Sequence, residues 1–238
     1  MISLVETSPS ALQYLDTRWT KLKPPYPSDL IAFIDFDNPA GPLVPTVGNF
    51  TLTNTGTIDI EGYHGRGRKG SGGTNDGLQA NQKVLPTGAK SIWIIYKNPV
   101  GSRIIGDIRL MNETGMEIGD MSNGALRYTE LQGTTTLFSV IAPEFTLIND
   151  DCWHTILCAW NGTTGANCAK MWHDGVLVAQ ATAAGIRTSA SNSNMAIFNY
   201  SPLSSGSANN FSGALDEIAI FNTAKDISDF KRNIRRRD

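Results

Sequence analysis

The residues able to do chemistry in this chain are few and widely spaced. Three histidines, His64, His154 and His173, offer ring nitrogens for a general base or a metal. No Ser-His-Asp or Cys-His arrangement accompanies them at a supporting spacing, so packing and turn hydrogen bonds account for them without chemistry. Cys152, Cys158 and Cys168 are an odd number of thiols and too few for a disulfide framework at this size. They read as reduced, buried small hydrophobes. The run from His64 to Gly73, HGRGRKGSGG, is basic and glycine-rich. A phosphate-cradling loop would end in Gly-Lys-Ser/Thr and lead into a helix, and neither feature is present. A flexible surface loop touching an acidic partner is the expectation.

These residues are held by a chain of 238 residues with 18% charged and 40% hydrophobic residues, 23 Gly and 11 Pro. That composition argues against disorder and coiled coil. A net charge of −2 supplies no chain-wide basic field for a nucleic acid backbone, and no nucleic acid partner is expected. The longest apolar runs, such as Ser91 to Tyr96 and Thr155 to Trp160, are strand-sized, so no membrane insertion is expected. Met1 to Glu6 has neither the charged nor the apolar region of an export signal. The expectation is a protein used without secretion, or one whose signal has been removed.

Two segments break the pattern. In residues 1–29, Ser8-Pro9 opens a helix on which Leu12, Leu15, Trp19 and Leu22 recur, and Pro24, Pro25 and Pro27 end it. This is an expected arm of short helix and stiff linker. At the other end, Asn222 to Arg237 is expected to be helical, with Ile227, Phe230 and Ile234 on one face and a cluster of arginines at its C-terminal end. Between them period-two patterning predicts about a dozen strands. They are Ile31 to Phe36, Thr51 to Thr53, Ser91 to Lys97, Arg103 to Ile108, Met116 to Asp120, Ala125 to Glu130, Leu137 to Ile141, Trp153 to Trp160, Ala169 to Trp172, Val176 to Ala181, Met195 to Asn199 and Ala214 to Phe221. Asp174-Gly175 is an expected hairpin turn. The fold class predicted is all-β, a two-sheet antiparallel sandwich.

Four motifs carry a family resemblance. Trp153 to Trp160, WHTILCAW, followed by Lys170 to Val178, KMWHDGVLV, resembles the central strands of laminin G-like and concanavalin A-like lectin domains. Phe211 to Asn222, FSGALDEIAIFN, resembles their closing strand, and Ile34 to Asp37 and Ser91 to Tyr96 resemble the opening and first central strands. The resemblance spans roughly Leu30 to Arg236 and implies a jelly roll over residues 30–238. His154 and His173 then fall on strand positions of the family pattern. Some members of these families bind calcium, which implies Asp35, Asp37, Asp216 and Glu217 as ligands, because the opening and closing strands are neighbours and carboxylate oxygens suit that ion. No contiguous calcium loop is present, and no obligatory cofactor is expected.

A lectin needs exposed rings to stack on sugar faces and polar groups for the hydroxyls. Tyr63, Tyr128 and Tyr200, with Asn209 and Asn210, are the candidates, while Trp93, Trp153 and Trp160 are expected in the core. Glucanases of this fold place three carboxylates on alternate strand residues. Thr57-Ile58-Asp59-Ile60-Glu61 has a threonine where the nucleophile would be, so catalysis is not expected. A lectin-like domain without an export signal and with unpaired thiols suggests a bacteriophage virion protein, a capsid decoration or tail or fibre component. Its partners would be other virion proteins and copies of itself, engaged through the arm residues Leu12, Leu15, Trp19 and Leu22. The alternative is a carbohydrate-binding or adhesion module that takes a surface glycan.

Overall fold

Short apolar runs separated by Gly, Asn and Pro build strands rather than helices, and the chain folds as two antiparallel sheets packed face to face. The computed structural model describes residues 21–37, 43–70, 76–99, 103–108, 113–120, 124–144, 146, 150–199 and 211–231. Among them lie β1 (Leu30–Ile34), β2 (Leu52–Thr55), β3 (Ile58–Glu61), β4 (Arg66–Lys69), β5 (Gly77–Ala80), β6 (Lys90–Lys97), β7 (Arg103–Gly106) and β8 (Gly115–Asp120). The remaining strands are β9 (Leu126–Gln132), β10 (Thr135–Ile141), β11 (Trp153–Trp160), β12 (Ala169–His173), β13 (Val176–Ala181), β14 (Ala196–Ile197) and β15 (Ala214–Phe221), followed by the short helix α1 (Ile227–Lys231). One sheet has eight strands in the order β13-β12-β11-β6-β15-β4-β3, with β1 also on β15. The other has seven in the order β10-β9-β8-β7-β14-β5-β2.

The pairing of β6 with β11 runs without a break from Lys97↔Trp153 to Lys90↔Trp160. Alternation sends Ile92, Ile94, Tyr96, Ile156, Cys158 and Trp160 into the space between the sheets. Trp93, Ile95, Leu157 and Ala159 point the other way into a second cluster on the outer face of the eight-stranded sheet. Phe230 of α1 covers that cluster, stacking on Trp93 at 4.6 Å and meeting Phe221 edge-on at 5.7 Å. Burial on both faces explains why these central strands read as continuous apolar runs.

One edge of β15 serves two strands. Leu30 to Ile34 pairs with Ile218 to Phe221, and Arg68 and Lys69 pair with Leu215 and Ala214. On the opposite edge, against β6, the register shifts between Leu215 and Ile218. Asp216 and Glu217 sit at this irregularity, where a bulge re-aims side chains.

Several expectations are corrected here. The basic segment expected as a flexible loop contains strand β4, and β3 was not among the expected strands. Arg, Gly and Lys carry little strand propensity, so only pairing to Leu215 and to the Ile58–Glu61 strand reveals it. Gly67 permits that approach, since a Cβ there would stand 2.8 Å from the Leu215 carbonyl oxygen. The C-terminal helix expected from Asn222 begins at Ile227: Asn222 to Asp226 are not helical, the described helix is Ile227–Lys231, and Ile234 and the arginine cluster lie outside the described residues. Of the arm, Leu12, Leu15 and Trp19 lie outside them. Leu22 is not helical and packs, with Tyr26, against the outer cluster.

Candidate functional site

A cleft of about 350 Å³ opens where β3, β4, β6, β11 and the approach to β15 meet, lined by residues that include Trp153, Lys97, Asn98, Asp151, Lys69 and Glu61. Ala214 pairs with both Lys69 and Lys97, and Lys97 pairs with Trp153, so one row of cross-strand neighbours forms its floor. Trp153 is half-buried, whereas Trp93 and Trp160 are buried as expected. The indole is therefore corrected from core residue to cleft wall.

A reciprocal clasp fixes the cleft's mouth. The Asn98 side chain donates to Asp151 Oδ1 at 2.9 Å, and the Asp151 amide donates back to Asn98 Oδ1 at 2.8 Å. Both residues adopt left-handed backbone conformations, φ 48° and 64°, which Asn and Asp tolerate better than other side chains. Lys97 Nζ lies 2.9 Å from Asp151 Oδ1. The Lys97 ammonium, and then Asn98, hold the Asp151 carboxyl below its ordinary range. Asp151 is thus a charged acceptor. Gly213 closes the wall, and a Cβ there would stand 2.7 Å from the Phe211 ring and 2.8 Å from the Asn98 carbonyl oxygen.

The four expected calcium ligands come together as two pairs. Lys21 Nζ bonds Asp35 at 3.1 Å and also Asp37. The amides of Arg66 and His64 donate to Asp37 Oδ1 at 2.9 Å and Asp216 Oδ2 at 2.5 Å, and His64 Nδ1 meets Glu217 Oε1 at 2.9 Å. Burial pushes the Asp216 carboxyl up to about 7, against the hydrogen bond from His64. Asp216 Oδ1 is a buried oxygen with no hydrogen-bond partner among the described residues. Calcium takes six to eight oxygens, and here an ammonium, an imidazole and two amides already engage the carboxylates. The set does not fit a single four-carboxylate calcium cage.

The expected sugar-binding residues scatter. Tyr63 is half-buried and packs, like Trp153, against the outer cluster, which places it on the face that carries the cleft but not in its lining. Tyr128 is 0% exposed, with its ring edge-on to Phe138 at 5.0 Å. It is corrected to a core residue, since a ring inside the sandwich presents no face to a sugar. Tyr200, Asn209 and Asn210 lie outside the described residues. Sequence reasoning missed Trp153, Lys97, Asn98 and Asp151. The available signal was an aromatic at a strand's first residue beside an Asp pair. Asp59, of the segment weighed as a catalytic strand, is bound by Arg66 on the neighbouring strand.

Comparison with known proteins agrees with this architecture. Residues 72–228 match the profile of the concanavalin A-like lectin/glucanases superfamily. Domain 4 of AbnA, a GH43 extracellular arabinanase from Geobacillus stearothermophilus solved with arabinotriose, superposes with a TM-score of 0.66 at 17% identity, covering 86% of this chain and 97% of that domain. The binding domain of Paraclostridial Mosquitocidal Protein 1 gives 0.66 at 14% identity, and the binding domain of botulinum neurotoxin serotype G gives 0.65 at 16%. The chain covers 51% and 50% of those two, with 86% and 85% of itself aligned. Likeness at such identities shows the fold alone. A search of curated protein sequences returned no match. Two antiparallel sheets, the jelly-roll order and the profile match together make the chain a member of the concanavalin A-like lectin/glucanase superfamily.

Proposed function

We propose that this protein is a non-catalytic carbohydrate-binding module that holds a glycan against Trp153. The cleft carries the proposal, because it sets a half-exposed indole among side chains that donate and accept hydrogen bonds. Its volume, about 350 Å³, lies in the range of small-molecule sites. An indole face suits the apolar face of a sugar ring, and Lys97, Asn98, Asp151, Lys69 and Glu61 supply groups for hydroxyls. Asp151 is tied to Lys97 and Asn98 as a charged acceptor, which suits binding rather than proton donation to a leaving group.

The arabinanase domain was solved with arabinotriose, so arabinotriose is the first probe, followed by a glycan array. Trp153→Ala is expected to weaken binding about ten-fold or more, the worth of a stacked ring. Tyr128→Phe, inside the core, is expected to leave affinity unchanged. Glycan binding that survives Trp153→Ala would overturn the assignment of the cleft.

The virion role is a second reading, favoured by the way Leu22 and Tyr26 fix the chain leading from the arm onto the outer cluster. It requires the full chain to form a defined oligomer in light scattering, with Trp19→Ala lowering the mass. A monomeric full chain would remove it.

A further inference from the structure

Beside the cleft, with His154 on the opposite face of β11 from Trp153, β11, β12 and the turn into β13 gather two imidazoles and a carboxylate. One ligand atom each from His154, His173 and Asp174 lies within 4.8 Å of the others. The Asp174 oxygen Oδ2 is 2.7 Å from His154 Nδ1 and 3.6 Å from His173 Nδ1. We propose that these three residues form a binding site for a divalent transition metal of the zinc class, completed by water or an external ligand.

The surroundings hold each donor in place. Asp174 Oδ1 accepts from the Thr155 amide at 2.8 Å, and the Asp174 amide donates to the Thr155 carbonyl at 3.0 Å. With Oδ1 engaged there, Oδ2 faces the imidazoles. The far nitrogen of each ring has its own partner: His154 Nε2 meets Asp150 Oδ1 at 3.0 Å and His173 Nε2 meets Tyr96 Oη at 2.6 Å. Metal-ligating histidines are characteristically oriented by such a second hydrogen bond. The rings stack at 5.4 Å with 23° between their planes, so neither imidazole is free to swing away.

Tetrahedral zinc has bonds of about 2.0–2.2 Å, which place ligand atoms roughly 3.3–3.5 Å apart. The two separations from Asp174 Oδ2, 2.7 and 3.6 Å, bracket that spacing, so a bound metal would lengthen the contact to His154 and shorten the one to His173, with every donor pair already within 4.8 Å. Nitrogen and carboxylate donors select zinc, cobalt or nickel over calcium or magnesium. The imidazoles are buried, with side-chain exposures of 3% and 9%, while Asp174 is 39% exposed. The open coordination position therefore faces solvent. Without metal, His154 lies between the carboxylates of Asp150 and Asp174 as a doubly hydrogen-bonded ring. The metal replaces the Nδ1 proton, and binding releases it.

The test uses the full chain, stripped with EDTA and dialysed at neutral pH. Zn²⁺ is titrated calorimetrically, and Co²⁺ is followed by its visible d–d absorption. One metal per chain and the absorption of a tetrahedral Co²⁺ complex are expected, with Zn²⁺ displacing Co²⁺. His173→Gln should abolish the absorption, whereas His64→Gln, in the β3–β4 turn, should bind as the unaltered chain does. Tyr96→Phe keeps all three ligands but frees His173 Nε2, and should weaken Zn²⁺ binding about ten-fold. It carries the test if His173→Gln fails to fold. No absorption, absorption that persists in His173→Gln, or unchanged Zn²⁺ affinity in Tyr96→Phe would overturn the proposal.

Discussion

A single buried carboxyl shows how burial governs side-chain chemistry in this sandwich. Asp216 is 0% exposed, and removal from water pushes its carboxyl up to about 7. The folded chain therefore keeps a proton there that the unfolded chain has lost. The stability from the protonated form is complete below the unfolded pKa and is lost as pH rises through 7. Asp216→Asn, whose amide oxygen can still accept from the His64 N–H, should stabilise the protein by on the order of 2–4 kcal/mol near pH 8 and have little effect near pH 4. Thermal unfolding at the two pH values checks it. His154 behaves in the opposite sense. Burial alone would lower its pKa, but hydrogen bonds to Asp174 and Asp150 outweigh burial and raise it. That stability is present below the ordinary histidine pKa and lost as pH rises through the folded value. In metal-free protein, His154→Gln should cost more Tm near pH 6 than near pH 9.

Among the elements, the meander β11-β12-β13 was legible because its signals are local. Trp153 to Trp160 carries a strand-sized apolar run, Asp174-Gly175 supplies left-handed turn residues at φ 47° and 78°, and Val176 to Ala181 returns. β4 was not legible, since its sequence Arg66-Gly67-Arg68-Lys69 is set in place by partners more than a hundred residues away on β15. The cleft depends on the same long-range pairing. Gly213→Ala, whose Cβ would press on Phe211 and the Asn98 carbonyl, should destabilise by about 1–3 kcal/mol and lower glycan affinity, as urea unfolding and calorimetry would show. Where β1 approaches β15, Lys21 bridges Asp35 and Asp37 and His64 meets Glu217. Calcium is accordingly expected to leave Tm unchanged. A rise that disappears in Asp216→Asn would reassign the cluster as a calcium site.

Across the whole molecule, a charged network spans the two sheets. Lys90 of β6 reaches Glu130 of β9 at 2.8 Å, and Arg187 lies 3.1 Å from the same carboxylate, with all three side chains 0% exposed. Lys90 also lies 5.1 Å from the centre of the Trp160 ring. Lys90→Leu leaves Glu130 with Arg187 alone and should cost about 3–5 kcal/mol, the penalty for breaking a buried charge pair, which denaturant unfolding measures. The sequence by itself determined the class of fold, because short period-two runs and their turns are local and can bury their apolar faces only by pairing into packed sheets. The resemblance to lectin-like domains, rather than the spacing of residues, implied Asp35, Asp37, Asp216 and Glu217 as neighbours on the opening and closing strands. The tertiary structure alone decided that these acids divide into two pairs, one engaged by Lys21 and one by His64, that Tyr128 is core and that Trp153 walls a cleft. Those outcomes depend on which face each residue presents and on what distant strand lies beside it, and neither is written in the spacing of nearby residues.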